Sequence, residues 1–302
     1  MDDQRSHLVL VNPSAGGGRA RELLPRVEGA LRDHGIGHRP MMTTSLDHGI
    51  EEARRAAEGG EVVVVMSGDG LIGQIGGVLA GTGVPLGVIP GGRGNDFARV
   101  LGIPTEIPDA VALIANGETR KVDVGEVNGR RFLGIASCGF DSDVNRIANE
   151  TRFIKGNLVY LYATLRGLAA WKPARFEVTL DGERRAFTGF AVAAANSRAY
   201  GGGMFLAPDA ELDDGMLDVV TTGDASKLHC LANLPKVFNG RHVEDEAVTV
   251  VRASEVEITA DRPFAVYADG DHLADLPARI KLLPRALDVI ARPGALVGPR
   301  PR

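Results

Sequence analysis

Cysteine is scarce in this chain, and the two that occur, Cys138 and Cys230, lie far apart in no metal-ligand spacing. A disulfide framework is therefore not expected, and a reducing, cytoplasmic compartment fits best. No apolar run approaches the roughly 18 residues that a membrane-spanning helix requires. The polar first residues also lack the apolar segment of a signal peptide. We expect no transmembrane segment.

An excess of basic charge is also missing, because the formal net charge is -5. The footprint of a nucleic-acid-binding protein is therefore absent, and we expect no nucleic-acid partner. A local basic patch for an anionic lipid is compatible with this balance. No glycine-rich segment ends in Gly-Lys-Ser or Gly-Lys-Thr, which argues against a P-loop NTPase.

The first third of the chain alternates strand and helix patterns. Residues 61–66 contain a run of four valines, typical of a buried parallel strand. Residues 19–34 place their apolar side chains at helical spacing. This alternation predicts an open, mostly parallel sheet with helices on its faces. The other predicted elements are strands at 7–11 and 85–89 and helices at 49–58, 71–80, 96–101 and 109–116.

The pattern changes near residue 121. Asn128-Gly129 and Asp181-Gly182 each lie between alternating apolar segments, which predicts hairpins. We therefore expect a fold that is α/β followed by mainly antiparallel β. The predicted boundaries are 1–121 and 122–285, with the tail 286–302 able to rejoin the first domain. Residues 157–171 predict a helix that packs on the β domain or, as the less favoured alternative, docks on a membrane.

Three glycine-rich segments follow strands of the first domain, at residues 12–18, 67–73 and 91–96. Ligands of open α/β sheets bind at the carboxyl ends of the strands. Loops that converge there could surround a phosphate chain with backbone N–H donors. Each loop alone could be an ordinary turn, and Asp96 could simply cap the helix that follows it.

The segment Gly68-Asp69-Gly70-Leu71-Ile72-Gly73 also fits the dinucleotide-binding fingerprint. The strand that follows it leads into Pro90-Gly91-Gly92 and lacks the acid expected to bind ribose. Asp69 would moreover place a carboxylate beside a pyrophosphate, which makes better sense if it acts through Mg²⁺. A dinucleotide oxidoreductase is therefore the less favoured interpretation.

These motifs resemble the diacylglycerol kinase catalytic domain family, which includes sphingosine kinase-like lipid kinases. The matching segments occur in the family's order from residue 7 to residue 293. They are Asn12-Pro13-Ser14-Ala15-Gly16, Ser67-Gly68-Asp69-Gly70, 89–99, Gly139-Phe140-Asp141, Tyr200–Met204 with Pro208, 214–218 and Asp269-Gly270-Asp271.

The resemblance implies an enzyme that transfers the γ-phosphate of ATP to a hydroxyl of a lipid such as diacylglycerol or a sphingoid base, with Mg²⁺. The resemblance places the active site in the cleft between the two domains. Asp271 would be the general base, helped by Asp269, and Asp69 would be a third catalytic residue that holds Mg²⁺ or orients the phosphates. The residues implied to line the nucleotide are Asn12, Pro13, Ser14, Ala15, Gly16, Thr44, Ser67, Gly68, Asp69, Gly70, Leu71, Ile72, Gly73, Gly92, Arg93, Asn95 and Asp96.

The resemblance also implies two metal sites. Asp69, Asp96 and Asp123 would form the catalytic Mg²⁺ network. A second, structural Mg²⁺ would use the side chain of Asp214 with backbone carbonyls near Glu211 and Met216.

Some positions depart from the family's usual pattern. Ser67 and Leu71 resemble the sphingosine kinase variant, Arg93 replaces a threonine that touches nucleotide, and Asp271 replaces a glutamate. Alternatives therefore stay open: an NAD kinase-like phosphotransferase, or a homologue that binds nucleotide or lipid with little turnover. A homodimer is compatible with the sequence, which singles out no edge strand for it.

Overall fold

The computed structural model of the protein describes residues 6–151 and 158–292. Its first part alternates strands and helices because apolar residues recur with the matching periods. In the valine-rich third strand every residue is buried, and the first helix buries Leu24, Val27 and Leu31 along one face. The elements are β1 (His7–Val11), α1 (Arg19–Asp33), β2 (His38–Met42), α2 (Leu46–Glu58), β3 (Val62–Ser67), α3 (Asp69–Leu79), β4 (Leu86–Pro90), α4 (Asp96–Val100) and α5 (Ile107–Asn116).

The second part is mainly antiparallel β-structure with three further helices. Two-residue turns such as Asp181-Gly182, both with positive φ, join its hairpins. The elements are β5 (Glu118–Val127), β6 (Arg130–Phe132), β7 (Ile135–Gly139), α6 (Phe140–Glu150), α7 (Leu158–Ala170), β8 (Ala174–Leu180), β9 (Glu183–Ala195), β10 (Leu217–Gly223), α8 (Lys227–Val237), β11 (Val248–Ala253), β12 (Glu255–Ala260), β13 (Ala265–Ala268), β14 (Asp271–Asp275) and β15 (Ala278–Ala291).

Strands of the first part form a parallel sheet in the order β4-β3-β1-β2. Because the strands are parallel, the loops that follow β1, β3 and β4 all leave from the same edge of the sheet. Thr44 follows β2, so it comes from that edge too. The topology therefore brings the three glycine-rich loops to one edge of the parallel sheet.

The last strand, β15, runs through both parts of the molecule. Its first half pairs antiparallel with β12, and near its end Val289 pairs parallel with Leu86 of β4. Along most of its length it also pairs with β5, with one irregularity between Leu283 and Leu287. A two-stranded ribbon of β5 and β15 therefore joins the two sheets.

The antiparallel strands order as β14-β13-β7-β9-β8-β12, ending on β15. Their core contains an aromatic cluster in which Trp171 stacks on Phe190 at 5.8 Å and Phe176 stacks on Phe264 at 5.4 Å between ring centroids. This core carries the hairpin of β13 and β14, whose turn is Asp269-Gly270.

The predicted fold class, an α/β unit followed by antiparallel β-structure, is confirmed. The sequence analysis did not anticipate β2, β7, α6 or β14. Strands β9 and β15 are each continuous, over 13 and 14 residues. Of the predicted helix 157–171, residue 157 lies outside the described residues, residues 158–170 form α7, and Trp171 follows its end. Helix α7 packs on α6 through Val159 and Ala163.

The predicted tail lies mostly beyond the described residues, which end at 292, while its residues 286–291 belong to β15. Within 6–151 and 158–292, no helix combines the length and apolar character needed to cross a bilayer.

Candidate active site

The three glycine-rich loops touch one another at the edge of the parallel sheet. A methyl group on Gly16 would lie 2.8 Å from the carbonyl oxygen of Gly91, and one on Gly92 would lie 2.4 Å from the α-carbon of Gly68. The N–H of Gly91 donates to the carbonyl of Ser67 at 2.9 Å. The loops therefore form one surface of closely packed backbone, the arrangement that favours phosphate binding.

Two carboxylates stand at this surface, each in the first turn of a helix. Asp69 begins α3, and its Oδ1 accepts the N–H of Phe97 at 3.0 Å. Asp96 begins α4. A methyl group on Gly94 would lie 3.1 Å from Oδ2 of Asp69 and 3.1 Å from Oδ2 of Asp96, so both carboxylates border the same small space.

The second part of the chain brings Asp269 to the same place. Asp269 and Gly270 have φ of 53° and 90°, which makes a two-residue turn between β13 and β14. The carboxylate of Asp269 accepts the N–H of Leu133 at 2.8 Å and the N–H of Gly134 at 2.9 Å. Both of its oxygens are thus held, which suits a positioning role.

Asp271 lies two residues further, at the start of β14. A methyl group on Gly70 would lie 3.2 Å from its Oδ2, so this carboxylate faces the first turn of α3. The side chain of Gln74, one turn further along α3, also hydrogen-bonds to it. Asp271 therefore connects the second domain to the start of the phosphate-loop helix.

The acids influence each other's protonation. Burial raises the pKa of Asp269 to about 7, and the nearby charges of Asp69 and Asp271 add to this shift. Burial likewise raises the pKa of Asp96 to about 6, with Asp69 contributing in the same direction. Burial also raises the pKa of Asp271, against the opposing charge of Arg130. Such crowded carboxylates are typical of a site that awaits a cation or a proton.

The pair Asp69 and Asp96 fits a magnesium ion. Asp96 is 6% exposed, and its Oδ1 is buried without a hydrogen-bond partner among the described residues. No group of three or more Asp, Glu, His or Cys side chains that could hold a metal occurs in the described ranges. Mg²⁺ in phosphoryl-transfer sites uses one or two carboxylates together with substrate phosphates, so a pair is sufficient.

The carboxylate of Asp123, predicted to belong to this network, is held by two backbone N–H groups. Its Oδ1 accepts the N–H of Arg285 at 2.6 Å, and its Oδ2 accepts the N–H of Gly215 at 2.7 Å. The acids that raise its pKa, after burial, are Asp214 and Asp213. The described contacts therefore do not bring Asp123 to Asp69 and Asp96. It ties the 214–215 turn to the irregularity of β15.

The loop predicted to hold a structural Mg²⁺ makes contacts with other side chains and backbone groups. The carboxylate of Asp214 accepts the N–H of Met216 at 2.9 Å and forms an ion pair with Arg252. Glu211 lies 4.0 Å from Arg198. Because Arg252 already neutralises Asp214, these contacts do not indicate a cation site, and we derive no step from one.

The side chains of the predicted nucleotide-lining residues differ in their surroundings. The side chains of Leu71 and Ile72 are buried in the core beneath the sheet, so only their backbone can face a nucleotide. Asn12 accepts the N–H of Ser14 at 3.0 Å and shapes its loop, while Asn95 accepts the N–H of Gly92 at 2.8 Å. Thr44 is exposed and lies 3.1 Å from Nδ1 of His48, and Arg93 is exposed.

Sequence reasoning missed the groups that hold these acids in place. Leu133 and Gly134 act through their backbone N–H groups, which carry no sequence signature. Gly202 is a third case, because its N–H donates to Oδ2 of Asp96 at 2.7 Å. The run Gly201-Gly202-Gly203 was the available signal, since a run of glycines allows close approach of backbone to another group.

Two surface grooves are described, and neither is lined by Asp69, Asp96, Asp269 or Asp271. One, of about 500 Å³, is lined by residues including Arg54, Val78 and Arg131. The other, of about 320 Å³, lies between α6 and α7 and is lined by residues including Ile147 and Trp171. The acids instead lie where the β13–β14 hairpin packs directly against α3.

Known proteins resemble this chain along its whole described length. Residues 6–127 match the family model described as the diacylglycerol kinase catalytic domain. Residues 134–291 match the one described as the YegS C-terminal NAD kinase beta sandwich-like domain.

Individual relatives agree with these matches. A diacylglycerol kinase of Mycobacterium tuberculosis (strain ATCC 25618 / H37Rv) is 39% identical over 245 residues, covering 79% of each chain. A diacylglycerol kinase of Bacillus subtilis (strain 168) is 29% identical over 291 residues, covering 93% of this chain and 95% of the other.

A solved structure shares the fold. It is that of a diacylglycerol kinase from Bacillus anthracis str. Sterne, with a TM-score of 0.77 and 24% identity, covering 97% of this chain and 99% of that chain. Together, the family matches and the Mycobacterium tuberculosis relative confirm what the sequence motifs predicted: the chain belongs to the diacylglycerol kinase family of lipid kinases.

Proposed function

We propose that this protein transfers the γ-phosphate of ATP to the hydroxyl of a lipid such as diacylglycerol or a sphingoid base, with Mg²⁺ as cofactor. The observation that carries the proposal is the position of Asp271. Its carboxylate comes from the second domain yet faces Gly70, in the first turn of the helix that Asp69 begins. A carboxylate from one domain thus lies beside a glycine-rich loop from the other, which supports the role of a general base for Asp271.

The glycine-rich loops and the start of α3 would hold the ATP phosphates through backbone N–H groups. Mg²⁺, held by Asp69 and Asp96, would neutralise charge on those phosphates. Arg93 is exposed on the third loop and could pair a phosphate oxygen with its guanidinium. Phosphoryl transfer needs mainly such positioning and charge neutralisation.

Asp271 would accept the proton of the acceptor hydroxyl. The oxygen of that hydroxyl would bond to the γ-phosphorus of ATP while the bond from the γ-phosphorus to ADP breaks. Gln74 and Arg130 orient and polarise this carboxylate. Asp269 would position the hairpin, because the N–H groups of Leu133 and Gly134 hold both of its oxygens. A positioned general base contributes typically 10²–10⁴-fold to the rate.

The lipid acceptor is supported by the relatives, several of which are named diacylglycerol kinases. A lipid acceptor also implies transient binding to a membrane surface. The β-sandwich match, described as NAD kinase-like, is the observation that favours the second candidate, a kinase acting on NAD.

An acceptor panel tests the proposal. The full chain is incubated with radiolabelled ATP and Mg²⁺ and with diacylglycerol or sphingosine in mixed micelles, or with NAD in solution. We expect labelled product in a lipid lane, and none when EDTA replaces Mg²⁺. Label in the NAD lane alone would establish the second candidate, and label in no lane would leave a binding protein with little turnover.

A further inference from the structure

A short hairpin of the second domain, residues 200–204, reaches the first-domain carboxylate of Asp96. We propose that Tyr200 and Asp141 are positioning residues for phosphoryl transfer: they hold this hairpin so that the N–H of Gly202 fixes Asp96. The proposal rests on the kinase function proposed above. It assigns a role to Tyr200 and Asp141, which the acid network described so far does not include.

The tip of the hairpin is made of backbone alone. Tyr200 and Met204 exchange two backbone hydrogen bonds of 3.0 Å each, which closes the turn. The enclosed Gly201, Gly202 and Gly203 have φ of 61°, 88° and 107°, a region that residues with a side chain rarely adopt. The tip can therefore come close to α4 without side chains in the way.

Asp96 depends on this tip for its orientation. Its Oδ2 accepts the N–H of Gly202 at 2.7 Å. Its Oδ1 has no hydrogen-bond partner among the described residues, and the guanidinium of Arg99 is 3.9 Å away. One oxygen is thus held by the second domain, while the other accepts no hydrogen bond from the described residues and has lone pairs for a cation beside Asp69.

Tyr200 anchors the base of the hairpin. Its hydroxyl donates to the carboxylate of Asp141, and the charges of both Asp141 and Asp96 raise the pKa of Tyr200, after burial. The side chain therefore lies close to both carboxylates but is committed to Asp141. Its proton is not available for the reaction, so its role is positional.

Asp141 is placed by an unusually tight turn into α6. Gly139, which precedes the helix, has φ 97°, and a methyl group there would lie 2.4 Å from the carbonyl oxygen of Phe190. Ser142 closes the turn by donating to the carbonyl of Gly139 at 2.8 Å. The anchor of Tyr200 is thus part of the closely packed β7–α6 junction, so the contacts run from that junction to Tyr200, Gly202 and finally Asp96.

The test compares how much Mg²⁺ strengthens ATP binding in variants of the full chain. Titration calorimetry measures the affinity for ATP with Mg²⁺ and with EDTA. Tyr200→Phe removes only the hydroxyl, and we expect about a tenfold loss of ATP affinity in Mg²⁺, the effect of one hydrogen bond to a charged group, with little change in EDTA. The rate at saturating ATP should also fall.

Two further variants make the result specific. Asp141→Asn keeps an oxygen that accepts from Tyr200, and we expect it to stay closer to the wild type than Asp141→Leu, which has none. Tyr162→Phe is the matched control, because the hydroxyl of Tyr162 accepts from Arg166 at 3.4 Å on the helix surface, and it should behave as the wild type.

An unchanged Mg²⁺ effect in Tyr200→Phe would overturn the proposal. An equal loss of affinity in Mg²⁺ and EDTA would do so too, because it would indicate general damage to the fold. Failure of the wild type to phosphorylate any lipid would count against the proposed function instead, while the Mg²⁺ effect on ATP binding would still decide this inference.

Discussion

Gly73 and Asp269 are in such close contact that no side chain fits between them. A methyl group on Gly73 would lie 2.4 Å from Oδ2 and 3.1 Å from Cγ of the carboxylate. Gly73 lies within α3 of the first domain, and Asp269 lies in a hairpin of the second. The contact therefore sets how closely the two halves of the candidate site approach.

We predict that Gly73→Ala lowers the kinase rate at least about tenfold, because overpacking costs about 1–3 kcal/mol and would move Asp269 and Asp271 away from α3. The measurement is the initial rate together with the thermal melting temperature. Gly29→Ala is the matched control, since Gly29 is also inside a helix but meets only the end of a flexible side chain at 4.0 Å. Alanine there should be neutral or slightly stabilising. Equal rates in both variants would contradict the role of the contact.

The protonation of Asp269 predicts how stability depends on pH. Its pKa is raised from 3.8 to about 7 in the fold, so the folded protein binds this proton more tightly than the unfolded chain. The resulting stabilisation is complete below pH 3.8 and is lost as the pH rises through about 7. Without Mg²⁺ and nucleotide, we expect the melting temperature to be higher by a few degrees at about pH 5 than at about pH 8.

Asp269→Asn tests whether this carboxyl is the cause. The variant cannot titrate at this position, so its melting temperature should change less between the two pH values. Some dependence should remain, because burial also raises the pKa of Asp141 to about 6. A pH dependence identical to that of the wild type would exclude Asp269 as a contributor.

For Asp271 we predict a loss of turnover with binding retained. Asp271→Asn keeps the size of the side chain but removes its ability to accept a proton, so the rate should fall by about 10²–10⁴. The affinity for ATP, measured by calorimetry, should stay near that of the wild type. Asp275→Asn is the control: this residue is in the same strand, but its side chain is 73% exposed. Loss of ATP binding in Asp271→Asn would show that Asp271 contributes to nucleotide binding instead.

Asp69→Asn separates charge from geometry at the phosphate loop. The amide oxygen can still accept the N–H of Phe97, which the carboxylate accepts at 3.0 Å. We therefore expect normal folding, but the strengthening of ATP binding by Mg²⁺ should fall about tenfold or more because one ligand charge is lost. The control is Asp109→Asn, an acid in the first turn of α5. A wild-type response to Mg²⁺ would refute the assignment of Asp69.

The first domain was largely predictable because its local signals agree with its tertiary structure. The valine run of β3 and the apolar faces of α1 have the periods expected of buried elements. Strand β2, with His38, Arg39 and Pro40, was missed because it lies at the edge of the sheet, where burial imposes little pattern. Helix α6 was missed because its polar sequence packs mainly on α7.

Some residues of the candidate site could likewise be predicted from the sequence, and others could not. Acids in glycine-rich turns, such as Asp69, Asp96 and Asp269, could be singled out from the sequence, and the structure brings them together. The partners of Asp123 could not be read from the sequence, because its carboxylate accepts the backbone N–H groups of Arg285 and Gly215. Its membership of the Mg²⁺ network stays a prediction. Backbone partners have no sequence signature, which is also why Gly202, Leu133 and Gly134 were missed.

The ribbon of β5 and β15 has a mechanical consequence for the kinase. Because its hydrogen bonds continue from one sheet into the other, the two domains are joined by a stiff element as well as by turns. The ladder is interrupted only between Leu283 and Leu287, where Arg285 has φ 51° and donates its N–H to Asp123. If the β13–β14 hairpin separates from α3 to admit substrates, the ribbon must bend or twist between Leu283 and Leu287. Asp123, which accepts the N–H of Arg285, would restrain that bend.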